Sequence, residues 1–140
     1  MTNHLTLDDN LLAVIEHYDN LHLPSGENKR THLQRLNILR DRALLHTLFA
    51  TAGRVSEVLS LNRKDVASGS RARAEITGKG SKIRTLFFSA EAMQAIRAYI
   101  AERDRDEHSH ATVDPYPALF ISHRKLAGNR LTPHSAWNVV

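Results

Sequence analysis

The 140-residue chain is long enough to bury one hydrophobic core, and we expect a single domain over residues 1–140. It contains no cysteine, which excludes disulfides and thiolate metal sites and is typical of proteins in a reducing cytoplasm. No apolar stretch approaches the ~20 residues that a membrane-spanning helix needs. We therefore expect a cytoplasmic protein with neither a signal peptide nor a membrane partner.

The net charge of +4 is distributed unevenly along the chain. Residues 54–84 contain eight Lys or Arg side chains against three acidic ones, so this one segment holds a surplus of +5. A local concentration of positive charge is typical of proteins that bind a polyanion such as nucleic acid. Charge alone is equally compatible with a solvated basic face that has no partner.

The first half of the chain is predicted to be helical. A capping pattern that starts at Thr6 predicts a first helix, and a polar loop is expected over residues 22–32. Apolar residues then recur at helical spacing over residues 34–52, and Gly53 is predicted to end this second helix. Ser56 is predicted to cap a short third helix, which the polar run 62–65 is predicted to end.

A change of pattern follows. Residues 74–77 and 83–87 alternate as strands do, and they flank Gly78-Lys79-Gly80-Ser81-Lys82, so we predict a β-hairpin with a glycine-bracketed tip. Ser89 is predicted to cap the next helix, which has an apolar face. Residues 103–117 are charged and rich in histidine, and we predict an exposed loop there. Thr132 followed by Pro133 predicts the N-cap and first residue of a last helix.

Arg54 is the first candidate for phosphate chemistry. Breaking a phosphodiester builds negative charge on the non-bridging oxygens, and a fixed guanidinium can contact two of these oxygens in a bidentate fork. Arg54 directly follows Gly53 at a predicted helix junction, where the backbone can hold it rigidly. Glu57, one turn later, is its candidate orienting partner or simply an acid favoured by the helix dipole. The alternative for Arg54 is an ordinary surface or capping arginine.

Lys79 is the second candidate. The glycines on either side of it permit positive φ and a close approach to a nucleic-acid backbone. Lys82 and Arg84 follow on the same hairpin, and we interpret them as phosphate contacts rather than catalytic groups. The alternative for Lys79 is a solvent-exposed turn lysine. The segment does not meet the Gly-x-x-x-x-Gly-Lys-Ser/Thr pattern of a P-loop.

Three stretches, in this order, resemble the tyrosine recombinase (phage integrase) family. Residues 44–61, which include Gly53-Arg54-Val55-Ser56-Glu57, are similar to the first arginine box of that family. Residues 77–84 are similar to its Gly-Lys-Gly hairpin. The apolar stretch 118–122, followed by Leu131-Thr132-Pro133, resembles the strand and helix start that precede its His-x-x-Arg box. The resemblance covers roughly residues 5–140.

The resemblance implies both a fold and an activity. The fold would be mainly α-helical with a small antiparallel hairpin or three-stranded sheet, as the front part of the recombinase catalytic domain. The activity would be cutting and rejoining of double-stranded DNA through a 3′-phosphotyrosyl intermediate, in a homo-oligomeric, tetrameric synapse without a metal or other cofactor. Arg54 and Lys79 would be catalytic, and Lys79 would protonate the leaving 5′-oxygen.

The chain also departs from the family pattern. The His-x-x-Arg box and the tyrosine nucleophile are expected C-terminal to Leu131, but His134 is followed by Trp137 where arginine belongs, and we interpret Trp137 as a core residue of the last helix. The chain has three tyrosines, Tyr18, Tyr99 and Tyr116, and none of them has the sequence setting of the nucleophile. We therefore expect an inactive fragment that lacks the amino-terminal DNA-clamping domain and the C-terminal catalytic portion.

Two further possibilities remain open. His108 and His110 lie near four acidic residues in the loop 103–117, but ligands from one polar loop rarely converge as a metal requires, so we expect no metal site. The chain could also be a non-catalytic DNA-binding remnant or regulator, or an unrelated helical scaffold with a chance basic hairpin. A His-x-x-Arg box and a tyrosine encoded beyond Val140 would favour the enzyme, and an unrelated scaffold would show no salt-dependent DNA affinity.

Overall fold

The computed structural model describes residues 4–67, 72–105, 116–124 and 127–139. In these residues the fold is mainly helical with one two-stranded antiparallel sheet, which confirms the predicted fold class. The elements in chain order are α1 (His4–Asp19), α2 (Lys29–Thr51), α3 (Val55–Leu59), α4 (Arg63–Ala67), β1 (Arg73–Thr77), β2 (Ile83–Phe87), α5 (Ala90–Arg103) and α6 (Pro133–Trp137). None of the described helices has the length and apolar character needed to cross a bilayer.

The centre of the fold is the packing of α2 against α5. Ser89 caps α5 as predicted, because its side chain accepts the Ala92 N–H. The buried face of α5 carries Tyr99, whose ring is stacked on that of Phe120 with centroids 6.4 Å apart. This core fixes the frame against which the ends of α2 and α3 and the hairpin are placed.

The second helix begins earlier than the sequence predicted. Residues 29–32 were expected in a loop, but α2 begins at Lys29 because the Asn28 side chain accepts the Thr31 N–H at 2.9 Å and supplies an N-cap. The helix ends at Thr51, and the residue that turns into the left-handed region is Ala52, with φ 50°, rather than Gly53. The predicted loop 22–32 was therefore wrong over residues 29–32, which belong to α2.

The predicted hairpin is confirmed. Strands β1 and β2 pair antiparallel with Ile76 opposite Arg84 and Ala74 opposite Leu86. Ala74, Ile76 and Leu86 are buried, whereas Ile83 and Phe87 on the opposite face are 70% and 63% exposed. One face of the hairpin therefore packs on the core, and Arg84 lies at the rim of that same face.

The C-terminal segment corrects three details of the prediction. Residues 118–121 are buried, but the stretch 118–122 forms isolated bridges, Asn62 with Ala118 and Ile121 with Arg130, instead of a continuous strand. Arg103, predicted in an exposed loop, is buried at the end of α5. Thr132 caps α6 as predicted, but Trp137 is 62% exposed and is not a core residue of the described structure.

Candidate nucleic-acid interface

Arg54 lies at the junction of two helices. It is the N-cap of α3, with extended backbone at φ −73° and ψ 148°, so the prediction that Ser56 caps this helix was wrong. Gly53 allows the junction to close tightly, because a Cβ there would lie 3.0 Å from Thr51 Oγ1 and 3.1 Å from Val58 Cγ2. The end of α2 and the start of α3 thus hold the Arg54 backbone in a fixed place.

Glu57 stabilises the start of α3. It is the third residue of the helix, and its Oε1 accepts the Arg54 backbone N–H at 3.0 Å. This is the acidic half of a capping box, which satisfies an N–H that the helix itself leaves without a partner. The contact joins Glu57 to the backbone of Arg54, and the Arg54 guanidinium is left out of it.

The hairpin tip brings Lys79 to the end of the sheet. Gly78 N–H donates to the Lys82 carbonyl at 2.7 Å and closes a five-residue loop, in which Lys79 begins a 3₁₀ turn. Only Gly80 of the two glycines has positive φ, at 74°, and a Cβ at Gly80 would meet nothing within 4 Å. The Lys79 side chain lies outside what the structure describes.

One carboxylate joins the two sequence motifs. Glu57 Oε1 also accepts from Arg84 Nη1 at 3.0 Å, and Glu57 Oε2 would lie 3.5 Å from a Cβ on Gly78. We call this group the Glu57 corner: the Glu57 carboxylate, the Arg54 N–H, the Arg84 guanidinium and Gly78. Arg54 and the hairpin tip, separated in the sequence, therefore meet at the same corner of the fold.

The cations at this corner differ in their partners. Arg54 and Lys82 are exposed, and the side chain of neither makes a hydrogen bond or ion pair with another described residue. Arg84 is 46% exposed, but its guanidinium is paired with a Glu57 carboxylate that is only 12% exposed. An arginine and a lysine are thus available to an external anion, and a third cation is held by the protein itself.

The far end of α3 is fixed by a residue that sequence reasoning missed. Arg130 Nη1 donates to the carbonyls of Leu59 at 2.7 Å and Leu61 at 2.9 Å, and its Nη2 donates to the Asn62 side chain. The polar run 62–65, expected to end α3, begins α4 instead, and Asp65 accepts the Asn62 N–H. Nothing near Arg130 in the sequence marks these carbonyls as its partners.

The three tyrosines contact other parts of the fold, and only Tyr99 is buried in the core. Tyr99 is completely buried, and its hydroxyl lies 2.7 Å from His123 Nε2. The Tyr116 ring packs so closely on Gly128 that a Cβ there would lie 2.1 Å from it. Tyr18 lies at the α1–α2 contact, where burial and the nearby Asp41 carboxylate raise the pKa of its hydroxyl.

Histidines and acids do not converge on a metal site in the described residues, where no group of three could hold an ion. His108 and His110, which the sequence analysis considered as possible metal ligands, lie outside the described residues.

The comparisons with known proteins define the class. The phage integrase family model matches residues 28–140, which include every element from α2 to α6. The chain belongs to this family of tyrosine recombinases, as its motifs indicated. Helix α1 precedes the matched region.

The chain is similar in sequence to curated tyrosine recombinases. It is 40% identical to the tyrosine recombinase XerC of Mycobacterium sp. (strain KMS) over 102 residues, 73% of this chain and 32% of the relative. It is 33% identical to XerC of Roseiflexus sp. (strain RS-1) over 73% of this chain and 31% of the relative. The tyrosine recombinase XerD of Bifidobacterium longum (strain NCC 2705) is 35% identical over 74% and 33%. The chain thus spans about a third of the length of these relatives.

Proposed function

We propose that this chain carries the phosphate-binding portion of a site-specific DNA recombinase, in which Arg54 and Lys79 activate the scissile phosphate of double-stranded DNA. The observation that carries the proposal is the Glu57 corner, where the arginine box and the lysine hairpin meet. Membership of the tyrosine recombinase family supports it independently. The reaction would proceed through a 3′-phosphotyrosyl intermediate and need no metal or other cofactor.

Arg54 is proposed to hold the non-bridging oxygens. In the cleavage step a tyrosine oxygen forms a bond to phosphorus while the bond from phosphorus to the 5′-oxygen breaks. Negative charge grows on the two non-bridging oxygens, and a guanidinium that is already in place stabilises it without rearrangement. The junction at Gly53 and the Glu57 cap hold the Arg54 backbone, and its guanidinium has no acceptor among the described residues.

Lys79 is proposed to give its proton to the leaving 5′-oxygen. The hairpin tip supports this role because Gly80 and the closed loop present a compact backbone, with the lysine at its apex. Lys82 would contact a neighbouring phosphate and fix the register of the duplex. Arg84 was predicted to do the same, but its guanidinium is paired with Glu57.

The remaining parts of the machinery are proposed by analogy with the family. None of the three tyrosines is proposed as the nucleophile, because Tyr99 is buried and Tyr18 and Tyr116 pack on other parts of the fold. We propose that residues 1–140 are the front part of one catalytic domain and that this chain alone completes no reaction. The complete enzyme would act in the cytoplasm as a tetrameric synapse on DNA.

Duplex binding tests the proposal. With roughly four phosphate contacts, the logarithm of the association constant should fall against the logarithm of salt concentration with a slope of about −3 to −4. Titration of a labelled duplex with the chain at several salt concentrations measures it. An affinity that does not change with salt would contradict the proposal. A non-catalytic DNA-binding regulator would show the same slope. In that case, loss of Arg54 would change DNA binding but would not change the rate of any cleavage reaction.

A further inference from the structure

The rim of the hairpin holds one cation that is paired with a carboxylate of the protein itself. Arg84 lies opposite Ile76 in the strand register, and thus on the face of the hairpin that packs on the core. Side chains of a strand alternate between faces, so its neighbours Ile83 and Thr85 point to the opposite side. The Arg84 side chain is therefore directed along the core face towards α3.

The acceptor of Arg84 is shared with the arginine box. Glu57 Oε1 accepts both the Arg54 N–H and Arg84 Nη1, each at 3.0 Å. The Glu57 side chain is only 12% exposed, and Arg84 is its one ion-pair partner among the described residues. If Arg84 turned away to a phosphate, a largely buried carboxylate would be left without a counter-charge, which is unfavourable.

The same carboxylate lies against the tip of the hairpin. Its second oxygen would be 3.5 Å from a Cβ on Gly78, the residue directly before Lys79. Gly78 also closes the loop by its hydrogen bond to the Lys82 carbonyl. The position of the loop that carries Lys79 is therefore linked to the Arg84–Glu57 pair, and through Glu57 to the backbone of Arg54.

We propose that Arg84 is a positioning residue for the reaction: through Glu57 it fixes the Lys79 hairpin against the helix start that carries Arg54, and it does not bind DNA phosphate. This inference rests on the proposed function for its catalytic consequence. It divides the hairpin cations by their partners. Lys82, whose exposed side chain has no partner among the described residues, contacts DNA, whereas Arg84 determines where the hairpin tip lies.

The first experiment needs no catalysis. Arg84→Gln removes the ion pair, Arg84→Lys keeps the charge, and Lys82→Gln is a matched loss of charge two residues away. Amide hydrogen exchange of Arg54 and Gly78 in the free chain should rise roughly two- to fivefold in Arg84→Gln, as expected for loss of a partly exposed ion pair. It should stay near the original rate in Arg84→Lys and Lys82→Gln.

Duplex binding gives the reciprocal result. The salt slope should become less steep by about 0.9 in Lys82→Gln, which loses a phosphate contact, and stay unchanged in Arg84→Gln. A slope that falls by about 0.9 in Arg84→Gln with unchanged amide exchange would overturn the proposal. If the original chain does not bind duplex at all, the proposed function fails, and the exchange comparison still decides what Arg84 does. Should Arg84→Gln not fold, Glu57→Gln removes the same charge pair and keeps an acceptor for the Arg54 N–H.

A catalytic measurement separates positioning from simple stabilisation. In a recombinase that contains this chain and a tyrosine nucleophile, Arg84→Gln should slow cleavage by roughly tenfold or more, because a misplaced catalytic group loses much of its effect. A substrate with sulfur at the bridging 5′ position needs no proton from Lys79. The rate of Arg84→Gln should recover on this substrate as that of Lys79→Ala does, and Arg84→Lys should restore part of the rate on the normal substrate. An equal loss on both substrates would overturn the positioning role.

Discussion

Two carboxylates in this molecule are surrounded by cations, and they differ in where those cations point. Glu102 is 6% exposed and accepts from Arg35 Nε at 2.7 Å and His32 Nδ1 at 3.0 Å, with Arg105 at 3.4 Å. Arg35 also donates to the carbonyls of Pro24 and Gly26, so this Glu102 cluster fastens the segment before α2 to α5. At the Glu57 corner, the side chains of Arg54 and Lys82 instead have no partner among the described residues.

The direction of the cations distinguishes a structural cluster of charges from a binding site. At Glu102 the buried guanidinium of Arg35 is directed at groups of the protein. Burial by itself would raise the pKa of the Glu102 carboxyl, but the hydrogen bonds from Arg35 and His32 and the arginine charges outweigh it and hold this pKa below its ordinary value. At Glu57 the protein uses one cation and leaves two exposed, as a site for a polyanion requires.

The largest expected effect separates Arg54 from Lys79 in a recombinase that contains this chain and a tyrosine nucleophile. Arg54→Ala should slow strand cleavage by about 10²–10³, because one preorganised charge on the phosphate is lost, whatever the leaving group. Lys79→Ala should slow cleavage of normal DNA but recover much of its rate when the bridging 5′ atom is sulfur. Cleavage rates on the two substrates measure this. Arg105→Ala, in the Glu102 cluster, is the control and should change neither rate.

Equal responses of Arg54→Ala and Lys79→Ala to the sulfur substrate would contradict this division of roles. A large loss of rate in Arg105→Ala would remove the contrast between the two clusters.

The second prediction concerns stability. Glu102→Gln should lower the free energy of unfolding by about 3 kcal/mol near pH 7, because it leaves the buried Arg35 without its counter-charge. Since the pKa of Glu102 is lowered on folding, its stabilisation is present above its ordinary pKa of 4.5 and is lost as pH falls through the folded value. Urea unfolding at several pH values should show the original chain and Glu102→Gln converging as the pH falls through the lowered pKa of Glu102. Glu57→Gln, at the more exposed pair, should cost no more than about 1 kcal/mol.

Asp41 supplies a control with the opposite sign. Burial raises the pKa of its carboxyl above the ordinary 3.8, in spite of the nearby Arg40 and Arg124 charges. The contribution of Asp41 is therefore fully present below its ordinary pKa and is lost as pH rises through the folded value. In the original chain, ionisation of Asp41 lowers the stability as pH rises, and protonation of Glu102 lowers it as pH falls. Asp41→Asn should abolish the first of these losses, and Glu102→Gln should abolish the second. Identical pH profiles for the two variants would contradict these assignments.

The sequence predicted local patterns well and long-range partners poorly. The hairpin, the Ser89 and Thr132 caps and the helical spacing of α2 depend on neighbouring residues, and all were found. Helix starts were misplaced where another cap competed, as at Asn28 for α2 and Arg54 for α3. At α2 the Asn28 side chain accepts the Thr31 N–H, and at α3 the Glu57 side chain inside the helix accepts the N–H of the cap residue Arg54.

The candidate site was predicted as two separate motifs and not as one corner. Alternation along β2 places Arg84 on the face of Leu86, but nothing local indicates that Glu57 lies beside that face. Arg130 likewise reaches carbonyls about seventy residues away. Trp137 was expected in the core because it is large and apolar, and it is exposed because a one-turn helix buries little of its own surface.

A smaller effect should distinguish the two clusters in DNA binding by the chain itself. Arg54→Gln should make the salt slope of duplex binding less steep by about 0.9, since one phosphate contact is lost. Arg105→Gln removes the same charge from a 54%-exposed side chain in the Glu102 cluster and should leave the slope unchanged. Fluorescence anisotropy at a series of salt concentrations measures both. Equal changes of slope would mean that total charge, rather than the Glu57 corner, determines binding.

The smallest expected effect is the absence of any covalent product. A nicked suicide substrate traps a recombinase once its tyrosine has joined the 3′-phosphate, because the freed fragment diffuses away. The three tyrosines make structural contacts away from the Glu57 corner. The Tyr99 hydroxyl is paired with His123 in the core, and the Tyr116 ring lies on Gly128. Tyr18 packs at α2 beside Asp41. An attacking oxygen must lie in line with the leaving oxygen, within about 3–3.5 Å of phosphorus, and a buried hydroxyl such as that of Tyr99 cannot reach a phosphate held by exposed Arg54.

Denaturing electrophoresis with labelled substrate should therefore show no slow-migrating band for this chain. A band that disappeared on Tyr18→Phe or Tyr116→Phe would show that the nucleophile is already present, and the division between a binding corner and a structural core would have to be redrawn.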